Sequence, residues 1–215
     1  CASHNAAQTH IDIIQDWLLG LNLGESDLRC GPQMPRDLAV KDALLADQQL
    51  PSQIHNFCSG KHSGFLTLNC YLGGHSDYID PSHPVQRASL EAFELTTGET
   101  SAGFAIDGCS APNYVCSLHG LARAMAWFAA AGDRGDPASK AAVSLVEAMI
   151  AHPDMVAGEG RACTELIRAM DGQAAIKTGA EGVFIAILPK QRLGVALKMN
   201  DGATRASDAA IAALM

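Results

Sequence analysis

The sequence predicts an α+β protein in which a long helical region precedes a small antiparallel sheet. Two observations carry this reading. Before Ala174 the apolar residues recur mainly at helical spacing. From Ala174 on the pattern changes to short apolar runs, 175–177, 182–188 and 193–199. The last two are joined by Pro189-Lys190-Gln191-Arg192, a turn of the length that suits an antiparallel hairpin.

Each element follows from local signals. Ile11, Ile14, Leu18 and Leu21 recur at helical spacing and predict an amphipathic helix over 6–22. A shorter helix over 36–49 is ended by Pro51, and one over 61–72 is closed by Gly73-Gly74. Pro84 suits a first helical position and opens a helix over 84–97. A short strand is expected over 103–106, and helices over 120–131 and 139–151. The glycine-bearing stretch 151–161 reads as a shaped loop between helices, and 204–214 is helical again. The expected organisation is one domain over 1–215, helical over about 6–172, with the sheet and its helix over about 174–215.

With 215 residues, 48% hydrophobic and 18% charged, the chain can bury a full core and falls outside the disordered class. The net charge of −8 argues against nucleic acid or an anionic membrane as partner. No apolar stretch reaches the length of a membrane-spanning helix, and no signal peptide is visible. The seven cysteines are odd in number and show no disulfide framework, which suits reduced thiols in a cytoplasm. Cys70, Cys116 and Cys163 sit in helical or apolar settings and read as small buried hydrophobes.

Several motifs carry chemistry. Lys177-Thr178-Gly179 lies at the mouth of a predicted strand. A lysine there, followed by a hydroxyl and a glycine, resembles one mark of the serine acyl-enzymes that include penicillin-binding proteins and β-lactamases. Ser3-His4-Asn5 fits the S-x-N element of the same set and precedes Lys177 as it should. Ser3 or Asn5 would serve equally as an N-cap of the helix that follows. The third mark, S-x-x-K, is absent from the sequence, and the chain opens on Cys1. Together these lead us to expect that the chain lacks its beginning, and its apolar last helix that it lacks its end.

The densest polar motif is Phe57-Cys58-Ser59-Gly60-Lys61-His62-Ser63-Gly64. Cys58 precedes a predicted helix, whose dipole favours a thiolate. Cys109, in Asp107-Gly108-Cys109-Ser110-Ala111-Pro112, follows a predicted strand. Two thiolates brought together from separate loops suit zinc, and two free thiols are the alternative. His62 is a candidate ligand or outer donor, or a hydrogen-bonded core residue. His83 reads first as part of a helix start. Arg161 is a candidate to hold a substrate carboxylate, or an ordinary solvated arginine.

Taken together, these motifs resemble the zinc-dependent L-asparaginases of the rhizobial type, the asparaginase II family. The matching stretches are Cys1 to Asn5, Leu28-Arg29-Cys30-Gly31, Cys58 to Gly64, His83 to Gln86, Ile106 to Pro112, His152 to Arg161, Lys177 to Val183 and Lys198 to Ala206. They keep the family's order and span nearly the whole chain. The resemblance implies hydrolysis of L-asparagine to L-aspartate and ammonia, a serine β-lactamase/glutaminase-like fold with a helical region packed on an antiparallel sheet, and a homodimer. It implies Ser3 and Lys177 as the catalytic pair, with Asn5 and Arg161 holding substrate. It implies zinc on Cys58, Lys61 and Cys109 with water, and His62 and Asp107 as outer groups. The family's other serine–lysine pair belongs to the missing S-x-x-K element.

The chain departs from the family pattern at Ala7 (usually Glu), Gln33 (His), Phe57 (Asn) and Cys163 (Asp). These changes bear on substrate orientation more than on the fold. Two rival readings stand beside the asparaginase. In one, Cys1 is an N-terminal nucleophile, which should open a strand, whereas a helix follows here. In the other, the chain is a non-catalytic zinc-binding homologue, because it has no S-x-x-K.

Overall fold

The computed structural model describes residues 3–215, so Cys1, the rival nucleophile, lies outside the described residues. The chain divides into two compact units, Cys1–Ala92 with Ser101–Val115, and Phe93–Thr100 with Cys116–Met215. Both belong to an α+β protein that is mostly helical, with small antiparallel sheets.

In the first unit, α1 (Gln8–Gly20) buries Ile11, Ile14 and Leu18, the face its spacing predicts. It starts later than 6 because Ala6 takes a left-handed φ of 57°. Its N-cap is Ala7, with no side-chain cap, so neither Ser3 nor Asn5 has the capping role. Next, α2 (Leu38–Ala46) is capped by the Asp37 side chain on the Val40 N–H. It stops short of 49, since Gln48 is left-handed. The third helix, α3 (Ser59–Leu72), begins before Lys61 and ends on Gly73, whose φ of 69° suits a residue without Cβ. In α4 (Pro84–Thr97), the His83 Nδ1 accepts the Val85 N–H at 3.1 Å, which supports His83 as a helix-start residue. The unit also holds an antiparallel ribbon of β1 (Phe104–Ile106) and β2 (Pro112–Tyr114), with Ile106 opposite Pro112. Sequence reasoning did not predict β2, because its proline disguises an edge strand. The core of this unit joins Ile11, Ile14, Leu18, Leu28, Ile54, Leu66, Tyr78 and Val85.

The second unit holds α5 (Leu118–Ala129), α6 (Pro137–Ala151), α7 (Pro153–Ala157) and α8 (Ala162–Ala169). It continues with β3 (Ala175–Thr178), β4 (Val183–Leu188), β5 (Leu193–Lys198) and α9 (Thr204–Leu214). The stretch read as a loop over 151–161 therefore contains a short helix, which Pro153 opens. The strands pair antiparallel in the order β3-β4-β5, with Ile176 opposite Ala186 and Phe184 opposite Leu197. Both faces of this sheet are covered. Phe184, Ala186 and Leu188 pack with Cys163 and Ile167 of α8 and Ile211 of α9. Ile187 packs with Ala129 of α5 and Val146 of α6. Two-sided burial is why β4 reads as a continuous apolar run rather than an alternating one. Among the described residues, no helix is long and apolar enough to cross a membrane.

The cysteine assignments need one correction. Cys163 is buried as expected, but Cys70 is exposed on α3 and Cys116 is only half-buried. Helical periodicity alone does not say which face a lone cysteine takes. All six cysteines among the described residues are free thiols.

The closest backbone approach is at Gly194. A Cβ there would lie 2.1 Å from the Ala126 nitrogen and 2.4 Å from the Ala122 oxygen, so β5 rests directly on the backbone of α5. Because these neighbours are backbone atoms, no side chain can move aside to relieve the clash. Gly194→Ala is expected to destabilise by about 3 kcal/mol and to lower the midpoint of thermal unfolding by about 10 °C. An unchanged midpoint would show that β5 stands further from α5.

Candidate metal centre and the residues around it

Two turns of the first unit converge. Cys58 is the residue just before α3, and Lys61 lies one turn on, on the same face of the helix start. Asn56 fixes this start: its Oδ1 accepts the Cys58 N–H at 2.9 Å, and its Nδ2 donates to the Gly31 carbonyl at 2.8 Å. Opposite, the loop between β1 and β2 is held by the Asp107 N–H on Ala111 O (2.9 Å) and the Ser110 N–H on Asp107 O (2.8 Å). This loop carries Asp107 and Cys109. The Cys58 and Cys109 sulfurs and an Asp107 carboxylate oxygen all lie within 4.8 Å of one another. Lys61 Nζ donates to Asp107 Oδ2 at 3.0 Å.

The electrostatics follow from two sulfurs meeting in a buried place. The Cys109 thiol, hydrogen-bonded to the Cys58 sulfur, draws Cys58 down to about 6 against the opposing effect of burial. The Lys61 charge and the Ser3 backbone N–H add to this. For the same reason Cys109 is pushed up to about 12, first by its bond to Cys58 and then by burial. The pair thus shares one proton at neutral pH, with the thiolate on Cys58. Burial works against the charge on Lys61, but Cys58, Cys109 and Asp107 together hold it above its usual range. Burial likewise opposes the Asp107 charge, and Lys61 outweighs it, keeping the carboxyl below its usual range. A third thiol, Cys30, is close enough to feel Cys109 and Lys61; burial pushes it up to about 12. The pull on the Cys58 thiol comes chiefly from Cys109 rather than from the helix dipole that the sequence reading invoked.

Ser3 and Asn5 lie along this cluster. Ser3 is left-handed at φ 66° and gives its backbone N–H to Cys58. His4 locks the segment: its Nδ1 accepts the Ala6 N–H at 3.1 Å, so its Nε2–H points to Ser59 Oγ at 3.1 Å. Asn5 Oδ1 accepts the Ala7 N–H, and its carbonyl accepts the Arg36 and Asp37 N–H groups at 3.0 and 2.9 Å. Two departures from the family pattern touch here. Gln33 Oε1 accepts the Phe57 N–H at 3.1 Å, and the Phe57 ring stacks under the Arg36 guanidinium at 4.3 Å.

The remaining site candidates belong to the second unit. Lys177 stands on β3, with Nζ donating to the Thr178 carbonyl at 2.7 Å. Arg161 is the residue just before α8. Both act on Cys163, another departure. Burial raises this thiol, while the charges of Lys177 and Arg161 pull the other way, and its sulfur accepts the Thr178 N–H at 3.1 Å.

His62 is fully buried on α3, with Nδ1 2.8 Å from the Tyr78 hydroxyl and Nε2 without a hydrogen-bond partner among the described residues. Sequence reasoning missed Asn56, Tyr78 and Cys30 as members of this site. An asparagine two residues before a cysteine at a helix start is a readable signal for an Asx turn, in which its side chain takes the N–H two residues on. Tyr78 leaves no local signal, because only tertiary packing brings it in, and Cys30 stood in a singled-out stretch without being assigned to the site. A search of curated proteins found no match to the chain. The sequence model of the L-asparaginase II family matches residues 1–215, the full length, and the chain therefore belongs to the L-asparaginase II family.

Proposed function

We propose that the chain hydrolyses the side-chain amide of L-asparagine to L-aspartate and ammonia through a serine–lysine acyl-enzyme, beside a zinc held by Cys58, Lys61 and Cys109. The observation that carries this reading is the convergence of two sulfurs, an ammonium and a carboxylate at one point of a chain from an asparaginase family. The donor set suits zinc. One sulfur is already a thiolate near neutral pH, the second is beside it, and Asp107 offers an oxygen within the same radius. When bound, zinc supplies a fixed positive charge that orients the substrate or polarises its carbonyl.

The chain's own groups have distinct tasks. Ser3 Oγ bonds to the amide carbon while its proton passes to the deprotonated amine of Lys177. The lysine ammonium returns that proton to the amide nitrogen as the carbon–nitrogen bond breaks, and ammonia leaves. Water then cleaves the ester and restores the serine. Asn5 and Arg161 hold the substrate, Arg161 through its carboxylate. The left-handed backbone at Ser3 supports the nucleophile role, since strained residues gather at functional sites. His62 and Asp107 orient the metal's ligands. The reading brings with it a serine β-lactamase/glutaminase-like fold, supported by a lysine at the end of a sheet strand. It also brings a homodimer, supported by Phe104 and Ile106, which both stand exposed on β1.

Two measurements test the reading. Metal analysis should find about one zinc per chain, lost on Cys58→Ser or Cys109→Ser. Loading must remove the protons of Cys109 and Lys61, which are both held above neutral pH, while Cys58 is already deprotonated above about 6. Titration calorimetry in buffers of different ionisation heat should therefore count about two protons released per zinc near pH 8. Affinity should rise about a hundredfold per pH unit there and more steeply below the Cys58 value. Zinc retained by both serine variants would overturn the ligand set.

The activity is tested by ammonia release from L-asparagine with zinc present. Ser3→Ala and Lys177→Met should each lower turnover by about a thousandfold or more. A zinc-loaded chain that releases no ammonia would instead be the non-catalytic homologue.

A further inference from the structure

Arg161 ends a short loop, Gly158-Glu159-Gly160, that has little stiffness of its own. Gly158 takes φ 110° and Gly160 φ 71°, values that L-residues rarely adopt. The geometry of such a loop has to be imposed from outside it. Both peptide groups of Arg161 are engaged. Its carbonyl accepts the Glu165 N–H at 3.1 Å, the first turn of α8. Its N–H donates to the Gly158 carbonyl at 3.3 Å, so this side of Arg161 is only as fixed as Gly158 is. Thr164, fully buried in the first turn of α8, is what fixes Gly158. Its Oγ1 donates to the Gly158 carbonyl at 2.6 Å and lies 3.1 Å from the Pro153 carbonyl. A hydroxyl has one hydrogen to give, and the shorter contact makes Gly158 its main acceptor. On the surface a second fastener reaches the same loop: Arg168 donates to both Glu159 carboxylate oxygens, at 2.7 and 2.6 Å. That pair is exposed, where water screens an ion pair and its net contribution is small. The buried hydroxyl is therefore the stronger of the two.

From this geometry we infer that Thr164 is a positioning residue for substrate: its hydroxyl fixes the Gly158 carbonyl, which receives the Arg161 N–H and so sets the point from which the guanidinium is presented. A guanidinium grips a carboxylate through two parallel N–H bonds, a contact that tolerates little misplacement. An arginine on a loose loop would also have to be ordered each time ligand binds, at the expense of affinity. Thr164 thus acts on binding through the backbone, from inside the core of the second unit. Arg168 and Glu159 support the same loop to a lesser degree. The inference rests on the asparaginase reading for the identity of the ligand, whereas the fastening of the loop stands without it.

The test takes L-aspartate, the product, as its probe, so that binding is read without turnover. In titration calorimetry Thr164→Val, which keeps the side-chain shape and removes the hydroxyl, should weaken L-aspartate binding by about tenfold. Thr164→Ser restores the hydroxyl and should bind within about twofold of the wild type, as should Arg168→Met. Arg161→Lys cannot make the two-point contact and should bind weakly already. On that background Thr164→Val should add almost nothing, because the alignment it disturbs is no longer used. Wild-type affinity in Thr164→Val, the same loss in Thr164→Ser, or an equal loss on both backgrounds would overturn the positioning role. Amide hydrogen exchange supplies a readout that needs no ligand. The Arg161 N–H should exchange about tenfold faster in Thr164→Val than in the wild type. Equal rates would show that Thr164 does not hold the loop. If the wild-type protein binds no L-aspartate, the substrate role of Arg161 falls, and the exchange rates alone decide the fastening.

Discussion

Two sulfurs, Cys58 and Cys109, are brought together inside the first unit, and the surrounding structure answers the cost of that meeting. Two thiolates side by side in a buried place would repel, so one proton is shared between them. Lys61 supplies a cation and Asp107 balances it at 3.0 Å. Neither sulfur sits on a flexible segment. Asn56 holds one through the start of α3, and the tight loop between β1 and β2 holds the other. The left-handed Ser3 contributes its N–H to the same cluster. Removing either sulfur would leave a half-buried cation, a left-handed Ser3 and the start of α3 without the group they converge on.

Much of this was legible in the sequence. The face of α1, the bounds of α4 and α9 and the hairpin of β4 and β5 follow from periodicity, proline and turn length. Cys58 and Cys109 stood out because each has a glycine within two residues and lies at the edge of an element. The pairing of the two sulfurs was legible only as a possibility, because it joins residues from separate loops. Tyr78 was not legible at all, since nothing in its local sequence separates a core tyrosine from one that faces a site, and Cys30 was legible only as part of a motif, not as a neighbour of the two sulfurs. The Asn56 turn before α3 could have been found and was not. β2 was hidden by its proline, and α7 by the glycines that follow it.

The positions that the sequence reading expects to depart from the family pattern are less scattered than their numbers suggest. Gln33 and Phe57 are joined by a hydrogen bond, and Arg36 lies over the Phe57 ring. The pair therefore changes as one surface: a side-chain amide meets the backbone, and an aromatic ring takes a cation on its face. Cys163 is a separate case in the second unit, where a buried thiol feels the charges of both Lys177 and Arg161. With no carboxylate in that place, the two cations are not neutralised by residue 163.

The backbone before α1 inverts a familiar rule of protein cores. Ala6 is fully buried, so trimming it to glycine would ordinarily cost stability. Yet its φ of 57° is one that an L-residue occupies at a cost of about 1–2 kcal/mol. Glycine at this position would lose a methyl contact and shed that strain together. The segment is thus held in shape by its neighbours rather than by its own preference. Mutational tolerance there is set by backbone handedness as well as by side-chain volume.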